Sequence, residues 1–406
     1  MTPDAAITGI GLVTPAGGTR ESTWDTVCAG RPTAAPAAGL AGLPVDFACE
    51  VPAFDPVEAT GNRRAWRLDR YAQFAVAAAR EAVADAGLGP AGWEAGRVGV
   101  VVGTAAGGVA TFAEQQQRLQ RNVRLVSPLT LPMFLPNMAA AQVAAALGAR
   151  GPCLQTGAAC ASGAVAVASA VDLLRTGACD VVIAGAADAM VTPLCAAAFA
   201  SLGALSRRRD APATASRPFD ADRDGFVLGE GAGILVLERP ATAQARGATV
   251  YAHLAGYAAT CDAYDIVAPD PEGRGLTAAL REALDTLDRT GIPPSGVSYV
   301  NAHGTSTPLN DRVEAAVLAR HLPADTLVSS TKGVTGHLMG AAGAVELALT
   351  ALTIARGTVP PTANLTHLDP AVHLAVPTVA QDRPVAAALS VSMGFGGHNT
   401  VWALTR

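Results

Sequence analysis

Lysine is all but missing from this chain. Lys and Arg together number 29, and the single lysine is Lys332, within SSTKGVTGHLMGAAGAVE, residues 329–346. Abundant alanine and arginine fit a GC-rich coding sequence, so the scarcity is compositional drift. That drift reached every basic site but one. A compact, strongly hydrated point charge cannot be exchanged for a planar fork where space is tight, so Lys332 becomes a candidate functional residue. Aromatics are also scarce, at 4%. The core must be filled by small and branched side chains, with helices and strands closely packed. Basic charge is not in excess: the net charge is −5, and the one block of like charge is Arg207-Arg208-Arg209. A nucleic-acid partner has no global electrostatic support. No uninterrupted apolar run reaches about 18 residues, so no membrane span is expected. MTPDAAITGIGLVTP at the start lacks the basic region of a signal peptide. The seven cysteines include no CxxC pair. Neither a disulfide framework nor a metal site is expected, and the cytoplasm is the default location.

What is present is a chain of 406 residues, half of them hydrophobic, long enough for a large core and more than one core unit. Apolar runs at 5–13, 97–104, 180–187, 231–238, 297–304 and 387–394 read as strands. They are continuous rather than alternating, as expected when both faces of a sheet are covered. Helical stretches at 69–88 and 276–291 end near glycines. The class is α/β with layered helices. An internal repeat links GAVAVASAVDLLRTG (163–177) with GAVELALTALTIARG (343–357). Both are apolar nearly all round, so both should be buried helices, one at the centre of each of two similar halves. A reactive residue precedes each: Cys160 before the first, His337 before the second.

Cys160 in TGAACASGAVAV has small neighbours that leave its sulfur approachable. A helix start would favour its thiolate. The other six cysteines read as buried filler. His303 in VNAHGTSTPLND follows a strand and opens a loop with the hydroxyls of Thr305 and Thr307. The carboxyl ends of strands are where α/β proteins place function. One cysteine and two histidines, each in a glycine-rich setting at an element boundary, suit nucleophilic catalysis. SMGFGGHNT, residues 392–400, sets three glycines around Phe395 and could bring N–H groups to a substrate. TGIGLVTPAGG lacks the third glycine of a dinucleotide loop.

ACASG, NAHGTSTPLND, STKGVTGHLMGAAGAVE, RPFDADRDGFVLGEGAG and GFGGHN together resemble the elongating β-ketoacyl-acyl-carrier-protein synthases, over essentially the whole chain. The resemblance implies a thiolase fold, five-layered αβαβα with two similar halves: residues 1–250 carrying the nucleophilic Cys160 and 251–406 carrying His303 and His337. It implies that Cys160 takes an acyl group as a thioester. His303 and His337 would hold the thioester oxygen of malonyl-carrier protein during decarboxylation, and the enolate would attack the acyl group. Lys332 would support the histidines with Glu346, and Asp311 and Glu314 would be structural partners nearby. Phe395 would gate the acyl and malonyl sites and give an N–H with that of Cys160, beside Gly396. Thr305 and Thr307 would bind a phosphopantetheine arm that the carrier protein delivers, so no cofactor of the chain's own is implied.

Ala106 stands where the family often has a bulky aliphatic residue, which implies room for long or unsaturated acyl chains. Asp265 stands where the family often has histidine, which puts contacts to the arm there in question. Ala106 and the Ala-rich sequence point to type II polyketide biosynthesis, with housekeeping fatty-acid elongation and a non-catalytic scaffold as the other readings. The expected partners are an acidic acyl carrier protein, docked on Arg63, Arg64, Arg67, Arg207, Arg208 and Arg209, and a second subunit. That subunit would form a homodimer, or a heterodimer with a chain-length factor, with residues 127–147 carrying much of the contact.

Overall fold

A computed structural model describes residues 5–89 and 91–406. Ten strands build its main sheet: β1 (Ala5–Val13), β2 (Val98–Gly103), β3 (Cys153–Thr156), β4 (Val181–Asp188), β5 (Gly231–Glu238), β6 (Ala252–Cys261), β7 (Val297–Asn301), β8 (Leu327–Ser329), β9 (Ala387–Gly394) and β10 (His398–Thr405). They hydrogen-bond in the order β8-β7-β9-β10-β6-β1-β5-β4-β2-β3. The first half runs third, second, fourth, fifth, first from its edge, and the second half repeats that order. Parallel pairs join the second strand to the third and to the fourth in each half. Antiparallel pairs join fourth to fifth and fifth to first. The halves meet where β1 pairs antiparallel with β6, Ala6 opposite His253. Such identity of order and direction confirms two similar halves.

Six helices matter for the layers: α1 (Arg70–Asp85), α2 (Met138–Leu147), α3 (Ser162–Arg175), α4 (Arg274–Arg289), α5 (Pro308–His321) and α6 (Ala342–Arg356). The repeated segments are α3 and α6, and they pack on each other between the two halves of the sheet. Small residues allow the close approach. A Cβ on Gly163 would lie 2.6 Å from Ala344 N, and one on the equivalent Gly343 would lie 3.0 Å from Ala164 N. Outside, α1 and α2 cover the first half, and α4 and α5 the second. Five layers result, with both sheet faces covered, which is why β1, β4 and β5 are buried along their whole length.

All six expected strands form. Four more were hidden from the apolar pattern: β3, β6, β8 and β10. Helix α6 with the turn before it, Met339–Arg356, is by length and mean hydropathy apolar enough to cross a membrane, but Glu346, Thr350 and Thr353 interrupt it and 89% of it is buried in the fold. Its interior Glu346 is paired with Lys332, so it is the central helix of the core.

Candidate active site

Cys160 follows β3 and lies two residues ahead of α3. His337 holds the equivalent place between β8 and α6, and His303 follows β7. All three line one cavity of about 360 Å³, together with Thr305, Thr307 and Phe395. The chain turns sharply into Cys160: Ala159 has φ +48°, a costly conformation for a residue with a Cβ. The glycine of the 394–397 turn nearest this elbow is required by contact, since a Cβ on Gly394 would lie 2.7 Å from Ala158 O. The same turn brings Phe395 into the cavity lining with Cys160.

The imidazoles of His303 and His337 meet edge to face with centroids 5.4 Å apart. Phe226 closes the far side of His337 at 5.3 Å, and Phe199 lies between Phe226 and Phe395. Backbone bonds hold both histidines. The N–H groups of His303 and Gly304 donate to the Glu314 carboxylate at 2.7 and 2.8 Å, and His337 N–H donates to Val227 O. Lys332 is 1% exposed. Its Nζ donates to His303 O at 2.5 Å and to the Glu346 carboxylate. Burial, then the Lys332 charge, then His337 hold His303 well below the usual histidine range; burial and Lys332 do the same for His337. Both rings are therefore neutral at pH 7. Burial raises Glu346 to about 7 against the pull of Lys332, and Glu314 to about 7 against its two N–H donors.

Burial and the helix start act in opposite directions on Cys160. Burial pushes the Cys160 thiol up to about 12, while Lys332 and the Phe395 N–H pull the other way. The helix start is opposed by burial of the sulfur, which disfavours its charged form. The resting nucleophile is a thiol that needs a proton acceptor, and two neutral imidazoles share its cavity. The alkylation rate of Cys160 by iodoacetamide should therefore keep climbing between pH 7 and 9.5 without a plateau. A plateau near pH 7, read by intact mass, would contradict this.

Other residues fall into place less uniformly. Thr305 and Thr307 bond to each other, Oγ1 to Oγ1, at 2.9 Å. Asp311 accepts from Ser306 N and Phe219 N. Gly396 lies outside the lining; it is exposed with φ +85°, and its N–H donates to Ile266 O. Ala106 also lies outside the lining, half-buried against the apolar cluster that contains Cys160 and Met190. Asp265 is exposed and accepts from Val267 N and Ala268 N, so it shapes the turn whose Val267–Pro269 stretch lines the cavity mouth. Arg63, Arg64 and Arg67 are exposed, but their turn contributes no cavity residue. Arg207, Arg208 and Arg209 follow the rim residues Leu202–Ala204. Arg207 is exposed, Arg208 donates to Asp222 O, and Arg209 is paired with Asp46. Among the described residues no group of three or more His, Cys, Asp or Glu could hold a metal.

Sequence reasoning passed over Asp188. It is fully buried at the end of β4, and burial raises it to about 6. It accepts from Thr104 Oγ1 at 2.6 Å and Ala105 N at 2.9 Å, and it lies against Gly340, whose added Cβ would meet it at 2.5 Å, so one carboxylate packs the first half against the turn after His337. A carboxylate closing an otherwise apolar strand was the available signal.

Comparison with known proteins agrees with this geometry. The family model for the β-ketoacyl synthase N-terminal domain matches residues 3–243, and that for the C-terminal domain matches 251–366. The chain is 44% identical to 3-oxoacyl-[acyl-carrier-protein] synthase 2 of Synechocystis sp., over 98% of this chain and 97% of that one. It is 42% identical to the enzyme of the same name from Staphylococcus aureus, over 97% and 96%. Among solved structures, the ishigamide ketosynthase/chain length factor superposes with a TM-score of 0.91 at 33% identity, covering 99% of this chain and 98% of that one. A type II PKS acyl-carrier protein in complex with its ketosynthase, bound to the hexaketide, gives a TM-score of 0.90 at 31% identity over the whole of both chains. The fold is the thiolase fold of these ketosynthases. With both family domains matched in order and a cysteine and two histidines gathered in one cavity, the chain belongs to the β-ketoacyl synthases, condensing enzymes of the acyltransferase class.

Proposed function

We propose that the chain elongates carrier-bound acyl chains by decarboxylative condensation, in type II polyketide biosynthesis. The observation that carries this reading is the shared cavity of Cys160 with two imidazoles that burial and Lys332 keep neutral. In the first step the Cys160 thiol gives its proton to an imidazole, and the sulfur attacks the acyl thioester. The carrier's thiolate leaves and takes that proton. In the second step His303 and His337 donate hydrogen bonds to the malonyl thioester oxygen. Carbon dioxide departs, and its bonding electrons form the enolate. Neutral imidazoles suit an oxygen that becomes negative. The enolate carbon attacks the acyl-Cys160 carbonyl, whose oxyanion faces the N–H groups of Cys160 and Phe395. Collapse expels the Cys160 sulfur as a thiolate, which takes from water the one proton that the condensation consumes overall.

Incubation with acyl- and malonyl-carrier proteins, read by intact mass, tests this. An acyl adduct on Cys160 and a β-ketoacyl carrier are expected. No adduct with a competent donor would leave the scaffold reading in its place.

The pathway rests on Ala106, whose small side chain packs against the apolar cluster that contains Cys160. Ala106→Ile is expected to cut the rate with the longest accepted acyl chain about tenfold or more, since overpacking costs about 1–3 kcal/mol, and to spare short chains. Equal chain-length profiles for the two proteins would remove this support. The higher identity to 3-oxoacyl synthases favours fatty-acid elongation as the second reading. An added chain-length factor should raise activity only in the polyketide case. The surface offers room for a second subunit. Leu119, Val123, Leu125, Leu131 and Leu135 are exposed, and α2 buries Ala139, Ala140, Val143 and Leu147 in its own fold. Leu131 and Leu135 lie within the contact proposed for residues 127–147, and Leu119, Val123 and Leu125 extend that apolar surface upstream.

A further inference from the structure

Residues 217–225 form a strap that belongs to the first half but bonds to the loop of the second half carrying Thr305 and Thr307. Arg217 N donates to Ser306 Oγ at 2.9 Å, and Gly225 N to Ser306 O at 3.1 Å. Phe219 N donates to Asp311 at 2.9 Å. Arg223, 6% exposed, supplies the rest. Its Nε donates to Thr307 O at 3.3 Å and its Nη2 to Pro308 O at 3.0 Å. Its Nη1 donates to Asp220 O and to Asp369 Oδ2, both at 2.8 Å, and Nε lies 3.5 Å from Asp311 Oδ2. Both segments so joined carry a strained residue, Phe219 at φ +63° and Ser306 at φ +70°. Such conformations persist only where surrounding bonds over-determine them.

The consequence falls on Thr307. It occupies the N-cap position of α5, where a threonine hydroxyl ordinarily accepts from the helix's own N–H groups. Here its side chain makes no capping bond. The hydroxyl turns instead to Thr305 Oγ1 and the cavity. That orientation requires the backbone of the cap to be held from elsewhere, and Arg223 grips its carbonyl and the next.

We propose that Arg223 is a positioning residue for the pantetheine arm: it fixes the carbonyls of Thr307 and Pro308 so that the Thr305 and Thr307 hydroxyls face the arm's amides. This rests on the reading of those threonines as the arm's partners. A guanidinium has five donors in a fixed fork, an ammonium three on a flexible stem. Lysine at this position keeps the charge beside Asp311 and Asp369 but cannot reach both carbonyls and Asp220 O.

Three measurements on Arg223→Lys test the proposal: KM and kcat with malonyl-carrier protein, Kd for an unreactive oxygen-for-sulfur analogue of acetyl-pantetheine, and the rate of Cys160 alkylation by iodoacetamide, which needs no arm. KM and Kd should rise about tenfold, with kcat within about threefold, the pattern of lost uniform binding, and alkylation unchanged. Arg223→Met should show a larger rise; if it does not fold, Arg223→Lys alone decides. Unchanged KM and Kd overturn the proposal, and so does a parallel fall in kcat and alkylation, which marks general damage. If the wild type binds the analogue but makes no β-ketoacyl product, the functional reading fails while Arg223 is judged on Kd alone. If Thr305→Ala with Thr307→Val leaves Kd unchanged, the arm contact fails, and the role of Arg223 with it.

Discussion

Cys160→Ala should abolish condensation, by on the order of 10⁵-fold or more, while malonyl-carrier protein is still decarboxylated. Removing a nucleophile whose neighbours act as a unit costs about that much, equivalent to about 7 kcal/mol of barrier. Nothing else in the cavity replaces it: among the described residues Cys160 is the only cysteine in the lining. The two steps separate because they use different atoms. Acyl capture needs the sulfur, whereas loss of carbon dioxide needs only donors at the malonyl oxygen. His303 and His337 take their positions from Glu314, Val227 and Lys332, none of which depends on the Cys160 side chain. Released carbon dioxide from the alanine variant should stay within about tenfold of the wild-type rate. His303→Ala should lower the same release about 10²–10³-fold, the typical cost of one such donor. Parallel loss of both steps in Cys160→Ala would show that the sulfur organises the histidines as well as carrying the acyl group.

The division between what was readable in advance and what was not has a physical cause. Strands covered on both faces, such as Val98–Gly103 and Val181–Asp188, are continuous apolar runs and were visible. Cys153–Thr156 is an exposed edge strand with polar residues, Leu327–Ser329 has three residues, and His398–Thr405 begins inside a glycine turn. No apolar pattern marks them. Cys160, His303 and His337 were legible because each sits beside small residues at an element boundary. The state of the thiol was not, because the local sequence shows a helix start but not the walls that bury the sulfur. Arg223 lies within RPFDADRDGFVLGEGAG, where no neighbour in sequence marks its role. Its partners Thr307, Asp311 and Asp369 are remote in sequence and meet only when the halves close.

Replacing the one lysine should have the largest effect on stability. Lys332→Met leaves the buried Glu346 carboxylate without its cation and His303 O without its donor. Breaking a buried pair from one side costs about 3–5 kcal/mol, to be read from denaturant unfolding. The loss should depend on pH in a defined direction. Burial already places Glu346 at about 7, above the ordinary 4.5 of an unfolded chain, and Lys332 restrains that rise. A carboxyl raised in the folded state binds its proton more tightly than the unfolded one does, so stability falls as pH rises towards the folded value. Without Lys332 the folded value moves above 7, and the deficit relative to wild type should be larger at pH 8 than at pH 6. Lys332→Arg should not rescue it, because a site that leaves Lys332 only 1% exposed has no room for the larger planar guanidinium. Removing both charges, as Lys332→Met with Glu346→Met, should recover most of the stability. It should not recover function. Lys332 also disfavours the imidazolium of His303 and His337, and a protonated ring cannot take the Cys160 proton. The acid limb of acyl transfer to Cys160 should therefore shift to higher pH in the single and the double variant alike. A double variant with wild-type stability and a wild-type acid limb would mean that the lysine serves packing alone.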